Sequence, residues 1–193
     1  MKKILFMVLL LSLSRLVSAT GVPSETAKSA ISEILQIASN KTLAADLRKK
    51  QLGAVIKKYV DLPATSQRVV ATFWPKATKE DKKAFVLIFR QVLTDTYFNL
   101  LQNYKNEEVT FGKEQIKKKR YASVESIVLS EGKEIPVTYL LIFRNDEWKL
   151  YDFVVEGISL VRTFSSDYKG ILRKDGLAGL NIKLQETLDK GTP

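Results

Sequence analysis

Two carboxylates, Asp152 and Glu156, stand beside Gly157 in an otherwise apolar stretch and are the nearest approach of the sequence to a catalytic pair. The chain contains no His and no Cys. These absences exclude Ser-His and Cys-His nucleophile systems, His general bases and nearly all zinc sites. No further polar group beside the two acids completes a catalytic site. We therefore interpret Asp152 as a structural hydrogen-bonding group and Gly157 as a backbone turn, and expect no catalytic residue, cofactor or metal.

The densest charge in the sequence is the cationic run Lys117–Arg120, in a chain whose formal net charge is +10. Such a run can contact anionic lipid headgroups or an acidic protein surface. It is more often a solvated turn or the start of a strand. The chain shows no basic motif interleaved with aromatic residues, so we expect no nucleic-acid partner.

Apolar residues at helical spacing predict helices in the first half of the chain, one from Ser24 and others over about 43–59, 65–74 and 78–104. In the second helix, Leu47 falls on the apolar face. Thr78 is a good N-cap for the longest helix, because its hydroxyl can accept a hydrogen bond from a free N–H of the first turn. That helix is apolar on so much of its circumference that we expect it to be buried on more than one side or to face a cavity.

The second half changes to the two-residue period of β-strands, over about 108–111, 120–129, 135–143 and 148–155. Gly132 and Asn145–Asp146 mark turns between the last three, so the strands form an antiparallel meander. Two helices follow, over about 159–174 and 177–188, and Gly176 separates them. The order of helices, meander and helices predicts an α+β fold.

The predicted sheet is apolar on much of both faces. In the third strand the residues that share one face are Val137, Tyr139, Leu141 and Phe143. Strict alternation in the fourth strand puts Tyr151, Phe153 and Val155 opposite Trp148 and Leu150. An antiparallel sheet with one solvated face shows polar residues on that face. Either helices cover both faces of this sheet, or one face lines a hydrophobic cavity.

The N-terminal segment predicts export. Lys2 and Lys3 precede the apolar run Ile4–Leu11, and small residues at Val17–Ala19 fit a signal-peptidase site after Ala19. An uncleaved anchor is disfavoured, because the apolar run is short of the roughly 20 residues that span a bilayer. Cleavage leaves residues 20–193 as one soluble domain and, by removing three cations and no acid, lowers the net charge to +7.

Several blocks of the sequence are similar to one family. Trp148–Val161 resembles the signature W-K-V-Y-D-V-x-V-E-G-V-S-L-V, and Trp74 with Ala77–Phe85 resembles the block W-x-x-A-T-P-E-Q-R-x-x-F, with Lys79 in place of the Pro. By these blocks the chain resembles the periplasmic phospholipid-binding proteins of the Mla pathway, also called the toluene-tolerance (Ttg2) auxiliary family. Further similar positions are Thr96–Tyr97, Tyr104, Gly132–Tyr139, Gly170–Leu172 and Asp175–Leu180.

The resemblance implies a cystatin-like or nuclear-transport-factor-like α+β fold, in which a meander sheet and helices surround an apolar pocket. It also implies a periplasmic carrier without enzymatic activity. Such a carrier moves phospholipid between an outer-membrane lipoprotein complex and an inner-membrane ABC transporter complex. We expect it to act as a monomer that binds one or two phospholipid molecules.

A phospholipid carrier needs a deep apolar pocket and no reactive group. The apolar stripes of the long helix and the strands are candidates for its wall, although the same spacing is typical of an ordinary core. The predicted lipid-binding residues are Trp74, Phe89, Leu93, Tyr97, Leu101, Val124, Ile127, Tyr139, Leu141, Phe143, Tyr151, Phe153 and Val155.

Two other functions stay open at the level of sequence. Cystatin-like cones host small-molecule isomerases and hydrolases, so an exported enzyme that uses Asp or Tyr is one alternative. An exported interaction module with a filled core and no ligand is the other. A carrier has an apolar cavity, an enzyme has a free carboxylate among polar pocket groups, and an interaction module has neither.

Overall fold

The computed structural model describes residues 21–191, so the predicted signal peptide lies outside the described residues. None of the helices in this range is both long enough and apolar enough to cross a bilayer. The helices are α1 (Pro23–Ser39), α2 (Ala45–Tyr59), α3 (Leu62–Val70), α4 (Lys79–Gln102) and α5 (Leu160–Asp189). The strands are β1 (Glu108–Lys117), β2 (Tyr121–Ser130), β3 (Lys133–Arg144), β4 (Glu147–Val155) and β5 (Ile158–Ser159).

The five strands form one antiparallel sheet in the order β1-β2-β3-β4-β5, which confirms the predicted meander and the α+β class. β1 continues past the predicted end at Phe111 to Lys117, with a bulge between Phe111 and Glu114. The short β5 was not predicted. It pairs Ile158 with Val155 and turns the chain from the sheet into α5.

Local capping explains where the helices begin. The Thr78 hydroxyl accepts a hydrogen bond from the backbone N–H of Asp81 at 3.0 Å, which confirms Thr78 as the N-cap of α4. α3 begins earlier than the predicted Thr65, because the Asp61 carboxylate caps it by accepting from the N–H of Ala64 at 2.9 Å. A 3₁₀ turn over Ala71–Phe73 follows α3.

The predicted inward position of Leu47 in α2 is wrong, because that side chain is 50% exposed. Arg48 turns inward in its place and is 6% exposed. Its guanidinium donates to Gln102 Oε1 at 2.9 Å and lies over the Phe98 ring at 5.5 Å. A long aliphatic stem and two partners on α4 therefore let a cation occupy a position that hydropathy alone gives to Leu.

The apolar interior forms two clusters. One is formed by the four helices α2, α3, α4 and α5 around the stacked rings of Phe85 and Phe89, whose centroids are 5.3 Å apart. The other lies between α1 and the sheet, where Ala27 packs with Val124 and Leu141. We call the face of the sheet that α1 covers the inner face. The long α4 thus has one side in the helical cluster, which leaves its other side toward the sheet.

A β-bulge in β4 changes which residues reach the inner face. Leu141 of β3 pairs with Leu150, whereas the preceding Leu140 pairs with Asp152, so Tyr151 is an extra residue between them. The predicted strict alternation is therefore wrong. Leu150 and Phe153 pack on the same inner-face cluster, whereas alternation puts them on opposite faces.

Gly176 divides α5, as the sequence predicted. Its backbone has φ 66° and ψ −165°, a region open almost only to glycine. Gly176→Ala is expected to lower the free energy of unfolding by about 1–3 kcal/mol because the new Cβ strains this backbone. Urea denaturation followed by circular dichroism measures the change.

Gly170 gives the matched control, because it lies in the regular part of the same helix with nothing within 4 Å of the position a Cβ would take. Gly170→Ala is expected to raise the free energy of unfolding by about 0.5–1 kcal/mol. Equal changes in the two variants would contradict the assigned strain.

Candidate functional site

An apolar cavity of about 270 Å³ lies between the two clusters. α1 and α2 form one side, α4 a second, and β3 and β4 the third. Leu100, at the C-terminal end of α4, belongs to the wall and is 62% exposed, so the cavity opens to solvent there. Leu93, two turns earlier in α4, also belongs to the wall and is 3% exposed, so it marks the inner end. Thus one face of the sheet does line a cavity.

Part of the predicted lipid-binding set lies in this wall. α4 contributes residues that are about one helical turn apart. The sheet contributes one residue of β3 and three from the C-terminal half of β4. The predicted residues in the wall are Leu93, Tyr97, Leu101, Tyr139, Tyr151, Phe153 and Val155. Tyr97 and Phe153 are in direct contact, with ring centroids 5.3 Å apart, and this pair joins α4 to the sheet.

Two predicted residues from the helical half lie outside the wall. Phe89 is fully buried in the helical cluster, where it meets Phe164 edge to face at 5.1 Å. Trp74 packs against the outside of the same cluster, with the Lys82 amine 5.8 Å from its ring centroid. Both follow the same apolar stripes as the wall residues, but their parts of α4 and of the preceding turn face other helices.

The remaining predicted residues lie in the sheet away from the cavity. Val124 and Leu141 are fully buried in the inner-face cluster rather than in the wall. Ile127 is on the opposite face of β2 and 38% exposed. Phe143 packs on Trp148 at 5.2 Å, near the turn between β3 and β4. Position along a strand, as well as the face, decides which residue reaches the cavity.

The predicted set missed wall residues that only the tertiary arrangement brings together. α1 and α2 had clear apolar faces in the sequence, but nothing local tied those faces to this cavity. Leu150 was missed because the bulge at Tyr151 reverses its predicted face. The missed wall residues include Ala30, Ile31, Ile34, Leu52, Ile56, Leu100, Leu150 and Leu160.

Asp152 is the one acid in the wall, and both of its carboxylate oxygens are engaged. One accepts a hydrogen bond from the Ser159 hydroxyl at 2.6 Å, and the other accepts from the backbone N–H of Val161 at 3.0 Å. The side chain thereby holds the β4–β5 turn and the first turn of α5 against the sheet. This geometry confirms the structural interpretation of Asp152.

The hydroxyl groups of the wall differ in their partners. Thr65 donates to the Asp61 carbonyl at 2.9 Å, and Tyr139 accepts from the Ser126 hydroxyl at 3.3 Å. The Tyr97 hydroxyl has no hydrogen-bond partner within residues 21–191. Burial raises the pKa of Tyr97, and the charge of Asp152 raises it further, so this hydroxyl stays protonated at neutral pH.

The cationic run lies away from the cavity. Lys117–Arg120 forms the turn between β1 and β2, at the end of the sheet opposite the exposed Leu100, and all four side chains are exposed. Lys118 and Lys119 have φ values of 52° and 53°, in the left-handed region, within the three-residue connection between the paired Lys117 and Tyr121. The run is therefore a solvated turn.

Comparison with known proteins places these features in a family. The family model described as "MlaC protein" matches residues 26–186. The MlaC binding protein of an intermembrane phospholipid transport system in Haemophilus influenzae is 23% identical over 134 residues, 67% of this chain. The match spans 63% of that protein's own length. The toluene tolerance protein ttg2D of Pseudomonas putida is 27% identical over 180 residues, covering 88% of this chain and 82% of that protein.

The fold has a solved counterpart. A phospholipid-binding protein from Ralstonia solanacearum, whose structure was solved in complex with a phospholipid, superposes with a TM-score of 0.76. It is 22% identical, and the match covers 86% of this chain and 96% of that one. At this identity the similarity shows a common fold.

The two bonds of Asp152 give a test of its structural role. Asp152→Ala is expected to lower the free energy of unfolding by about 2–3 kcal/mol, because it leaves the Val161 N–H and the Ser159 hydroxyl without a charged acceptor. Asp152→Asn, which keeps one acceptor oxygen, is expected to lose less. Urea denaturation measures both.

Glu134→Ala serves as the control, because Glu134 is an exposed carboxylate of β3. Its change is expected to stay within about 0.5 kcal/mol. Losses of the same size at Asp152 and Glu134 would be incompatible with the assigned role.

Proposed function

The chain belongs to the MlaC family, and we propose that it is a periplasmic phospholipid carrier that holds acyl chains in the cavity between α1, α2, α4 and the sheet. The single observation that carries the proposal is this cavity, whose wall is apolar except for a few polar groups, among them the hydroxyls of Tyr97 and Tyr151. Family membership and the names of the relatives, which refer to phospholipid transport and to phospholipid binding, agree with it.

Burial of hydrocarbon supplies the binding energy. Each CH₂ moved from water into an apolar site contributes about 0.8 kcal/mol, so a chain of about 15 such groups gains on the order of 12 kcal/mol before the entropy of ordering is subtracted. No covalent or acid–base step is needed. Such a wall accepts any chain of suitable width, so the headgroup contributes little to selection.

The size of the cavity favours an arrangement in which the acyl region enters and the headgroup stays outside. A volume of about 270 Å³ is at the lower edge of the roughly 300–1,000 Å³ typical of small-molecule pockets. The opening at Leu100 leaves the headgroup in water, where its charges keep their hydration. Binding a whole phospholipid therefore requires the wall to widen around the chains.

Carriage between membranes follows from the same chemistry. A bound lipid can cross an aqueous compartment only while its chains are covered, and it must be received from and delivered to membrane-bound partners. We propose an outer-membrane lipoprotein complex and an inner-membrane ABC transporter complex as these partners, and residues 20–193 as the exported domain. The predicted signal peptide is consistent with this location.

The cavity also weighs against the alternative functions. An enzyme on this fold needs a free base or nucleophile in the pocket, and both oxygens of Asp152 are engaged by Ser159 and Val161. An interaction module with a filled core has no reason to keep an apolar space of this size, because unfilled space lowers stability.

Filling the cavity tests the carrier. Leu101→Trp puts an indole into the wall, and Leu87→Trp makes the same change on the 53%-exposed surface of the same helix. Displacing even two CH₂ groups of a ligand is worth about 1.6 kcal/mol, so Leu101→Trp is expected to lower lipid occupancy at least tenfold while Leu87→Trp leaves it unchanged. Native mass spectrometry with lipid extraction, on protein purified without detergent, measures the occupancy.

The wild-type protein is expected to carry one or two phospholipids and to take them up again from vesicles after delipidation. Circular dichroism and the urea midpoint establish that both variants are folded. A lipid-free wild type that takes nothing from vesicles would overturn the proposal, and equal occupancy in the two folded variants would overturn the assigned cavity.

A further inference from the structure

We propose that the Tyr97 hydroxyl is a polar anchor that donates a hydrogen bond to an ester carbonyl of the bound lipid, and so selects ester-linked over ether-linked chains. This inference rests on the proposed function. It adds a specificity-determining contact to a cavity that otherwise recognises only hydrocarbon.

Four side-chain hydroxyls belong to the cavity wall, and they differ in their hydrogen bonds. Among the hydroxyls of the wall, those of Thr65 and Tyr139 already take part in hydrogen bonds, whereas that of Tyr97 has no partner in the described chain. The Tyr151 ring is turned toward Arg68, whose guanidinium lies 4.2 Å from the ring centroid, and toward Tyr121. The hydroxyls of Tyr97 and Tyr151 thus have no hydrogen-bond partner in the described chain, and Tyr97 is the more deeply buried of the two.

Entry of a lipid changes the surroundings of the Tyr97 hydroxyl. Water that hydrates the Tyr97 hydroxyl in the open cavity is expelled by the chains. A buried hydroxyl left without a partner is destabilising, and hydrocarbon offers it no acceptor. The acceptors of a phospholipid nearest to its chains are the ester carbonyls. Because the ring is held against Phe153, the hydroxyl meets this acceptor in a fixed position.

The carboxylate of Asp152 disfavours the lipid phosphate as the acceptor of this hydrogen bond. The carboxylate of Asp152 belongs to the same cavity wall as Tyr97, and its charge adds to the burial that raises the pKa of the Tyr97 hydroxyl. Ser159 and Val161 hold both oxygens of this carboxylate in position. A phosphate beside it would bring two negative charges together in an apolar site, where their repulsion is strong. A neutral carbonyl carries no such penalty.

The position of Tyr97 along the cavity is consistent with contact to an ester group. Tyr97 is one helical turn inward from the exposed Leu100 and one turn outward from the buried Leu93. An ester held at Tyr97 places the acyl chains along the inner wall toward Leu93. The phosphate, only a few bonds from the ester, then lies at the level of Leu100, in water. The polar anchor and the opening therefore agree with one orientation of the lipid.

The test compares two lipids that differ in the carbonyl. Delipidated protein is incubated with vesicles containing equal amounts of dipalmitoyl phosphatidylethanolamine, which is ester-linked, and dihexadecyl phosphatidylethanolamine, which is ether-linked. The bound ratio is read by native mass spectrometry after removal of the vesicles. One neutral hydrogen bond corresponds to a preference of about three- to tenfold for the ester lipid in the wild type.

Tyr97→Phe keeps the ring and its contact with Phe153 and removes only the donor, so the preference is expected to fall to about one. Tyr139→Phe is the comparison variant, because the Tyr139 hydroxyl lies in the same cavity wall but is paired with the Ser126 hydroxyl. That variant is expected to keep the wild-type preference. A general loss of packing in the wall would lower uptake of both lipids without changing their ratio.

The possible outcomes distinguish failure of the Tyr97 anchor from failure of the carrier function. Equal uptake of both lipids by the wild type, or a preference that survives in Tyr97→Phe, overturns the anchor and leaves the carrier intact. Equal uptake would mean that the Tyr97 hydroxyl turns to Asp152 when the cavity fills, and a surviving preference would mean that another hydroxyl of the wall donates to the carbonyl. Uptake of neither lipid by the wild type overturns the carrier and the anchor with it.

Discussion

The extra residue in β4 is the constraint on which the arrangement of this molecule depends. By inserting Tyr151 between Leu150 and Asp152, the bulge brings Leu150 and Phe153 to the same face of the sheet. It also directs Asp152 toward the chain that returns through β5, where the carboxylate holds the first turn of α5. A regular strand would put one of the apolar side chains on the opposite face and would leave α5 without this attachment.

The division of the interior into two clusters explains how the protein keeps an open space inside a well-packed structure. The aromatic stack of Phe85 and Phe89 fixes α4 to the other helices, while α1 packs against the sheet. Neither cluster needs the region between them for its own packing. The contact of Tyr97 with Phe153 sets the separation between α4 and the sheet, so this pair of rings supports the cavity from inside.

The sequence predicts best what local chemistry determines. Thr78 is an N-cap and Gly176 a break because the neighbouring backbone alone requires them, and the meander follows from short turns between strands of similar length. The choice between core and cavity wall is different. Phe89 and Leu93 are neighbours on α4 with the same buried, apolar character, and both belong to the helical cluster, but only Leu93 also reaches the cavity.

Two kinds of residue escaped the sequence pattern for physical reasons. Leu150 was assigned to the wrong face because a bulge shifts the two-residue period of the strand. No residue type near the bulge indicates that shift. Arg48 was missed because its charge suggests a solvated position, although its stem and its partners on α4 favour burial. In both cases the deciding contacts come from a distant part of the chain.

The burial of Arg48 has a consequence for where this molecule opens. Its Nε is enclosed without a hydrogen-bond partner, and within the described chain no carboxylate pairs with its guanidinium. A permanently charged group held this way gains hydration whenever the contact between α2 and the end of α4 separates, so this contact resists separation less than a purely apolar one would. Gln102, the partner of Arg48, is two residues from Leu100 in α4, so this contact lies beside the rim of the cavity.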